Sequence, residues 1–152
     1  MKKTSALFIA LIAMSMVFVS CVSDEPRGGK SYEDYVEFLL GLPVGESEDG
    51  NKLYLKQVDY LEDMNGFEVV TVLTLTFKND ICEKAICDYV YPSESLAKIA
   101  YEMWLLSWEE MSDVDNTSAS YEKCLFTIDF SKTPGLFVGL TREEIRNSQG
   151  IL

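Results

Sequence analysis

From Phe67 to Phe77 apolar and polar side chains alternate almost without interruption, and a turn signal stands at each end of the run. Phe67, Val69, Thr71, Leu73, Leu75 and Phe77 fall on one side of an extended chain, and Val70 and Val72 leave the other side partly apolar. A period of two marks a β-strand, in which successive side chains point to opposite faces. Asn65-Gly66 before the run and Asn79-Asp80 after it tolerate the left-handed backbone that tight turns need. The strand is therefore expected to have an antiparallel neighbour on each side. Leu53 to Leu61 supplies one. Ile81 to Tyr91 supplies the other, on the strength of Ile86, Tyr89, Val90 and Tyr91 ahead of Pro92, with a short helix as the alternative. Short turns between successive strands disfavour a doubly wound parallel sheet, whose crossovers need about a dozen residues or more.

Around this sheet the periodicity changes. Ser31-Tyr32-Glu33-Asp34 is a loose capping box, and Tyr32, Tyr35, Val36, Leu39 and Leu40 recur at helical spacing until Gly41 and Pro43 end the pattern. Glu46 to Asn51 reads as a polar loop. Ser93 to Met111 is the longest helix, with Leu96, Ala100, Met103, Trp104 and Met111 as its core stripe and Lys98, Glu102 and Glu109 on a narrow polar arc. Asp113 to Ser120 reads as a loop, Tyr121 to Phe130 as a strand, and Leu136 to Leu140 as a further short one. Thr141-Arg142-Glu143-Glu144 is a second capping box, opening a terminal helix of a turn or two. The expected fold is a single α+β domain over residues 31–152. It has an antiparallel sheet of four or five strands, one long helix packed on a face and short helices at both ends.

Charge and composition narrow the chemistry. With 25 acidic and 13 basic side chains the net charge is −12, which disfavours nucleic acid as a partner because that binding depends on clustered Lys and Arg. There is no histidine, so imidazole ligands, bases and triads are excluded. Gly28-Gly29-Lys30-Ser31 ends like a phosphate-binding loop, but Asp24 stands where its first glycine belongs and no strand precedes it. Ser95-Leu96-Ala97-Lys98 matches the Ser-x-x-Lys of serine β-lactamases and penicillin-binding proteins. The later Ser112-Asp113-Val114 and Lys132-Thr133-Pro134-Gly135 depart from that family's motifs, and helix capping by Ser93 or Ser95 explains the same letters. Cys82 and Cys87 have opposite parity on a strand and are expected on opposite faces, leaving Cys124 as the thiol able to pair with either. Three buried thiols is the simpler reading. Glu46, Glu48 and Asp49, and Asp113, Asp115 and Asn116, read as solvated acidic loops, with calcium binding as the alternative. No metal and no cofactor is expected.

The N-terminus has its own character. Lys2 and Lys3 precede an uncharged apolar run of 14 residues from Ala6 to Val19, a length suited to a signal peptide and short of the roughly 20 needed to span a bilayer. Phe18-Val19-Ser20-Cys21 then resembles the lipobox of bacterial lipoproteins, with Phe18 standing where that pattern has Leu. The resemblance implies a signal peptide over residues 1–20, cleavage before Cys21, a diacylglyceryl group on the Cys21 sulfur, and a membrane contact made through that anchor. Residues 21–30 are then a tether. Ser23-Asp24-Glu25 resembles the export signal of lipoproteins displayed on the outer membrane of some Gram-negative bacteria, with a merely polar tether as the alternative. Loss of Lys2 and Lys3 with the signal peptide lowers the 13 basic side chains to 11 and moves the net charge from −12 to −14.

The expected function is that of a lipid-anchored cell-envelope protein, non-enzymatic, binding an envelope protein partner or serving an assembly. Tyr101, Leu105 and Trp108 extend the apolar surface of the long helix beyond what one sheet needs and are the candidate interaction surface. Burial under a neighbouring helix is the competing explanation. A surface protein for small molecules or glycans, stacking them on its aromatic rings, is the second hypothesis. An envelope hydrolase is the third, and no catalytic motif supports it.

Overall fold

The computed structural model describes residues 27–62, 66–109, 117–133 and 135–149, except the side chains of Trp108, Glu109 and Gln149. The expected signal peptide, Cys21, residues 63–65 and residues 110–116, which include Met111 and the expected acidic loop of Asp113, Asp115 and Asn116, lie outside these residues. The chain forms two compact units, Met1–Phe38 and Leu39–Leu152.

The first unit holds the start of helix α1 (Tyr32–Gly41). Ser31 caps it as expected, its Oγ accepting the Asp34 N–H at 3.2 Å and its carbonyl the Tyr35 N–H at 3.0 Å. Arg27 lies over the Tyr32 ring and Lys30 over the Phe38 ring, at 5.6 and 5.5 Å from the centroids.

The second unit is an α+β domain built on a six-stranded antiparallel sheet. Its strands are β1 (Gly45–Asp49), β2 (Lys52–Leu61), β3 (Phe67–Lys78), β4 (Ile81–Val90), β5 (Ser118–Glu122) and β6 (Leu125–Asp129), in the spatial order β1-β2-β3-β4-β6-β5. Helix α2 (Glu94–Glu109) joins β4 to β5, and α3 (Arg142–Gln149) closes the described chain. The alternating run is the third strand, flanked by the two neighbours expected for it. Asn79 and Asp80 adopt φ of 51° and 64°, as a two-residue hairpin turn requires.

Six strands replace the expected four or five for two reasons. Gly45–Asp49 is a strand rather than a polar loop, and the expected strand Tyr121 to Phe130 is broken by a tight turn at Lys123, φ 49°: Tyr121 and Glu122 end β5, which begins at Ser118 inside the expected loop, and the rest forms β6. Leu136 to Leu140, by contrast, forms no strand. Gly139, at φ 90°, turns the chain there, leaving an isolated bridge between Ile81 and Thr141. Among the described residues no single long helix spans the sheet either; the longest helix there, α2, has 16 residues and lies against β5 and β6 at one end of the sheet. Among the described residues no helix is long and apolar enough to cross a membrane.

Two apolar clusters line one face. Leu53, Leu75, Phe77, Cys82 and Ala85 pack with Phe137 and with Ile145 of α3, the last only 1% exposed. Cys87, Phe126 and Ile128 pack with Ala100, Tyr101 and Trp104 of α2. Leu73 and Phe130 touch both clusters and join them.

The expectation that Cys82 and Cys87 point to opposite faces fails. Thr76 pairs with Lys84 but Phe77 pairs with Cys82, so Glu83 is an extra residue in β4. A bulge of one residue resets the parity, and both thiols join the helix-covered face. No disulfide links Cys82, Cys87 and Cys124; the first two are buried and the third is half-buried.

Candidate interaction surface

Helix α2 begins where Ser93 Oγ accepts the Leu96 N–H at 3.4 Å and its carbonyl accepts the Ala97 N–H at 3.2 Å. Ser93 is thus the cap. Ser95 Oγ lies 3.1 Å from Ser93 Oγ, while the exposed Lys98 pairs with Glu102 at 3.8 Å, an ordinary i,i+4 surface contact.

At about 100° per residue, Ala97, Ala100, Tyr101 and Trp104 share one side of the helix. That side meets the sheet: Ala97 is fully buried, and Tyr101 packs on Tyr121 and Phe126 at centroid distances of 5.2 and 6.3 Å. Tyr101 is therefore a half-buried packing residue as well as a member of the candidate surface. Leu105, on the flank beside it, is 38% exposed. The side chain of Trp108 lies outside the described residues.

The opposite side of α2 carries what the sequence reading missed. Ile99, Met103 and Leu106, spaced i, i+4, i+7, are 46, 60 and 67% exposed and form an aliphatic stripe facing solvent. Met103, expected in the core stripe, is in it. Both sides of the helix are apolar, and periodicity alone gives no sign of which one the sheet takes; Trp104 and Tyr101 pack against the cluster of Cys87, Phe126 and Ile128, with the Tyr101 ring tilted on Tyr121 and edge-on to Phe126.

A second feature lies at the β2–β3 end of the sheet. Tyr60, Phe67, Val70, Val90 and Tyr91 line a shallow open cleft of about 530 Å³, with Glu68 as its only charged side chain among the described residues. Gly66, at φ +64°, sits against the Tyr60 hydroxyl so closely that a Cβ there would overlap it. Glycine at that turn lets the Tyr60 ring lie over the chain.

Charged groups elsewhere are engaged with one another. Glu46 and Glu48 of β1 take Arg146 and Arg142 of α3, with Arg142–Glu48 and Arg146–Glu48 at 3.0 Å, and Arg142 also reaches Asp80 at 3.6 Å. The Arg142 guanidinium lies 4.6 Å above the Phe77 ring. The expected acidic loop is thus one side of an ion-pair network. Among the described residues no three Cys, Asp or Glu side chains gather as a metal site.

On the other face of the sheet Lys56, Val72, Asp88, Thr127 and Ser120 form one row across five strands. Lys56 is 8% exposed and donates to the carbonyls of Leu40 and Leu42 at 2.5 and 2.8 Å, serving groups left open at the end of α1. Asp88, fully buried, accepts the Thr127 hydroxyl at 2.6 Å.

Compared with protein-family models, with curated proteins and with solved structures, the chain finds no match in any of the three.

Proposed function

We propose that this chain is a cell-envelope lipoprotein, acylated at Cys21 and held at the outer membrane, whose Leu39–Leu152 unit is a non-enzymatic binding or assembly module. The observation that carries the binding role is the solvent-facing stripe of Ile99, Met103 and Leu106 on α2, continued along the flank by Leu105. Three large aliphatic side chains at successive turns of one helix side lose favourable burial if left in water, at about 1.5–3 kcal/mol for each fully buried side chain. Such exposed apolar surface marks sites of macromolecular contact. The lipobox-like Phe18-Val19-Ser20-Cys21 supports the anchor and the envelope location.

The test is crosslinking and affinity capture of the full chain from its own envelope, beside Cys21→Ala and Met103→Asp forms. A stoichiometric envelope protein captured with the parent and lost with Met103→Asp supports the module. Equal capture by both forms removes α2 from the contact. Release of the Cys21→Ala form into the soluble fraction supports the anchor, and unchanged membrane retention overturns it.

The cleft of Tyr60, Phe67 and Tyr91 favours a second reading, a small-molecule or glycan site with rings as stacking platforms. Saturation-transfer NMR with a glycan panel checks it. Signals that vanish in Tyr60→Ala support it, and a panel without signals removes it.

A further inference from the structure

Alternation of backbone groups identifies what the edge of this sheet offers. The Phe130 N–H donates to Ala85 at 2.9 Å and the Tyr91 N–H to Cys124 at 2.8 Å, so the hydrogen-bonding groups of Phe126 and Ile128 also point toward β4. Those of Leu125, Thr127 and Asp129 then point toward β5, where they meet Glu122, Ser120 and Ser118. Ala119 and Tyr121 are left with their N–H and C=O groups directed away from the sheet. No described strand lies beyond β5, and neither residue bonds outward to any described group.

Edge strands in monomeric proteins are commonly blunted by charge, proline or a bulge. The edge strand β1 is: its outward-facing residues are Glu46 and Glu48, charged side chains held in ion pairs by Arg142 and Arg146 of α3. Strand β5, Ser118-Ala119-Ser120-Tyr121-Glu122, has no proline, no lysine and no bulge.

We propose that β5 is a docking edge for β5 of a second copy of this chain, paired antiparallel about Ser120. In that register Ala119 exchanges both backbone hydrogen bonds with the second copy's Tyr121, and the reciprocal pair does the same, so every open group of the two residues is used. Side chains agree with the register. Ser120 meets its own copy, Ser118 meets Glu122 without a like-charge contact, and each Tyr121 ring, already against Tyr101, covers an alanine. The two-fold axis stands perpendicular to the sheet, which keeps both α2 helices on the same face of a twelve-stranded sheet. The pairing does not depend on the lipid anchor or on a heterologous partner.

The register gives a positional test in the full chain, with Cys124→Ser in the background. Across the axis a Ser120→Cys pair lies about 4.5 Å apart at Cα, inside the range for a disulfide. A Ser118→Cys pair lies about 14 Å apart, outside it. Copper-phenanthroline oxidation is expected to give a band of twice the chain mass from Ser120→Cys and none from Ser118→Cys. No doubled band from Ser120→Cys, equal bands from both, or a band with a different protein overturns the proposal. Ala119→Pro removes an outward donor while leaving the β6 ladder intact, a substitution that edges tolerate. It is expected to weaken self-association in sedimentation about tenfold or more, and unchanged sedimentation overturns the proposal. If Ala119→Pro misfolds by circular dichroism, the two cysteine positions still decide.

Discussion

Lys56 shows how a single residue serves two elements at once. Its stem passes through the buried row on β2 and its ammonium reaches the Leu40 and Leu42 carbonyls. Lys56→Met keeps the stem and removes the donors, so the end of α1 keeps two carbonyls without a partner. The expected loss is about 2–4 kcal/mol, read from urea midpoints; a change below about 0.5 kcal/mol would mean that water replaces the ammonium. Cys87 is a second case. Burial pushes its thiol from 9.0 up to about 11, and burial also raises Tyr89 and Tyr91 beside it. The fold favours the neutral forms; for Cys87 this contribution is fully present below about pH 9 and is lost as pH rises through about 11. Stability measured by denaturant midpoint is expected to decline above pH 9, and Cys87→Val to flatten part of that decline. A midpoint constant to pH 11 would refute the assignment.

Among the elements, α3 separates packing from charge. It carries Ile145 into the Leu53–Leu75–Phe77 cluster and Arg146 onto Glu46 and Glu48. Ile145→Ala empties a fully enclosed site and is expected to cost about 2–5 kcal/mol. Arg146→Ala removes an ion pair whose partners are 40 and 21% exposed, and is expected to cost about 1 kcal/mol or less. Thermal unfolding of both variants orders the two effects, and a larger loss from Arg146→Ala reverses the account. The beginning of α3 was legible in the sequence: Thr141 and Glu144 exchange the reciprocal capping bonds, at 2.9 and 3.2 Å, that their spacing implies. The Ser93 cap and the Asn79-Asp80 turn were legible for the same reason, since each acts within a few residues. Strand β1 was not. Gly45–Asp49 contains no apolar side chain, its ladder comes from β2, and its acids are neutralised by arginines 94 and 100 residues further along the chain. The Lys123 turn lacks the glycine or asparagine that usually marks such a backbone, so two strands read as one. Glu83 carries no mark of the bulge it makes.

For the molecule as a whole, the candidate surface was half legible. Excess grease on the long helix pointed to α2, but Tyr101 was assigned to a flank that the sheet partly takes, Met103 was assigned to the core, and Ile99 and Leu106 were assigned to neither. The distinction is measurable. Replacing Met103 and Leu106 together by Asp is expected to move the unfolding midpoint by less than about 1 kcal/mol, because both side chains already face water. A loss of several kcal/mol would return them to the interior. The strand order carries a different consequence. Strands β1 to β4 adjoin in the order in which they are made, so each can zip onto the one before by closing a short loop. The last hairpin breaks that sequence, because β6, not β5, joins β4. A chain emerging N-terminus first, from a ribosome or through a membrane pore, therefore completes a four-stranded sheet early and then waits. Helix α2 has no floor until Asp129 has emerged, and until that moment both of its apolar sides, the one destined for the sheet and the one left in water, stand open together.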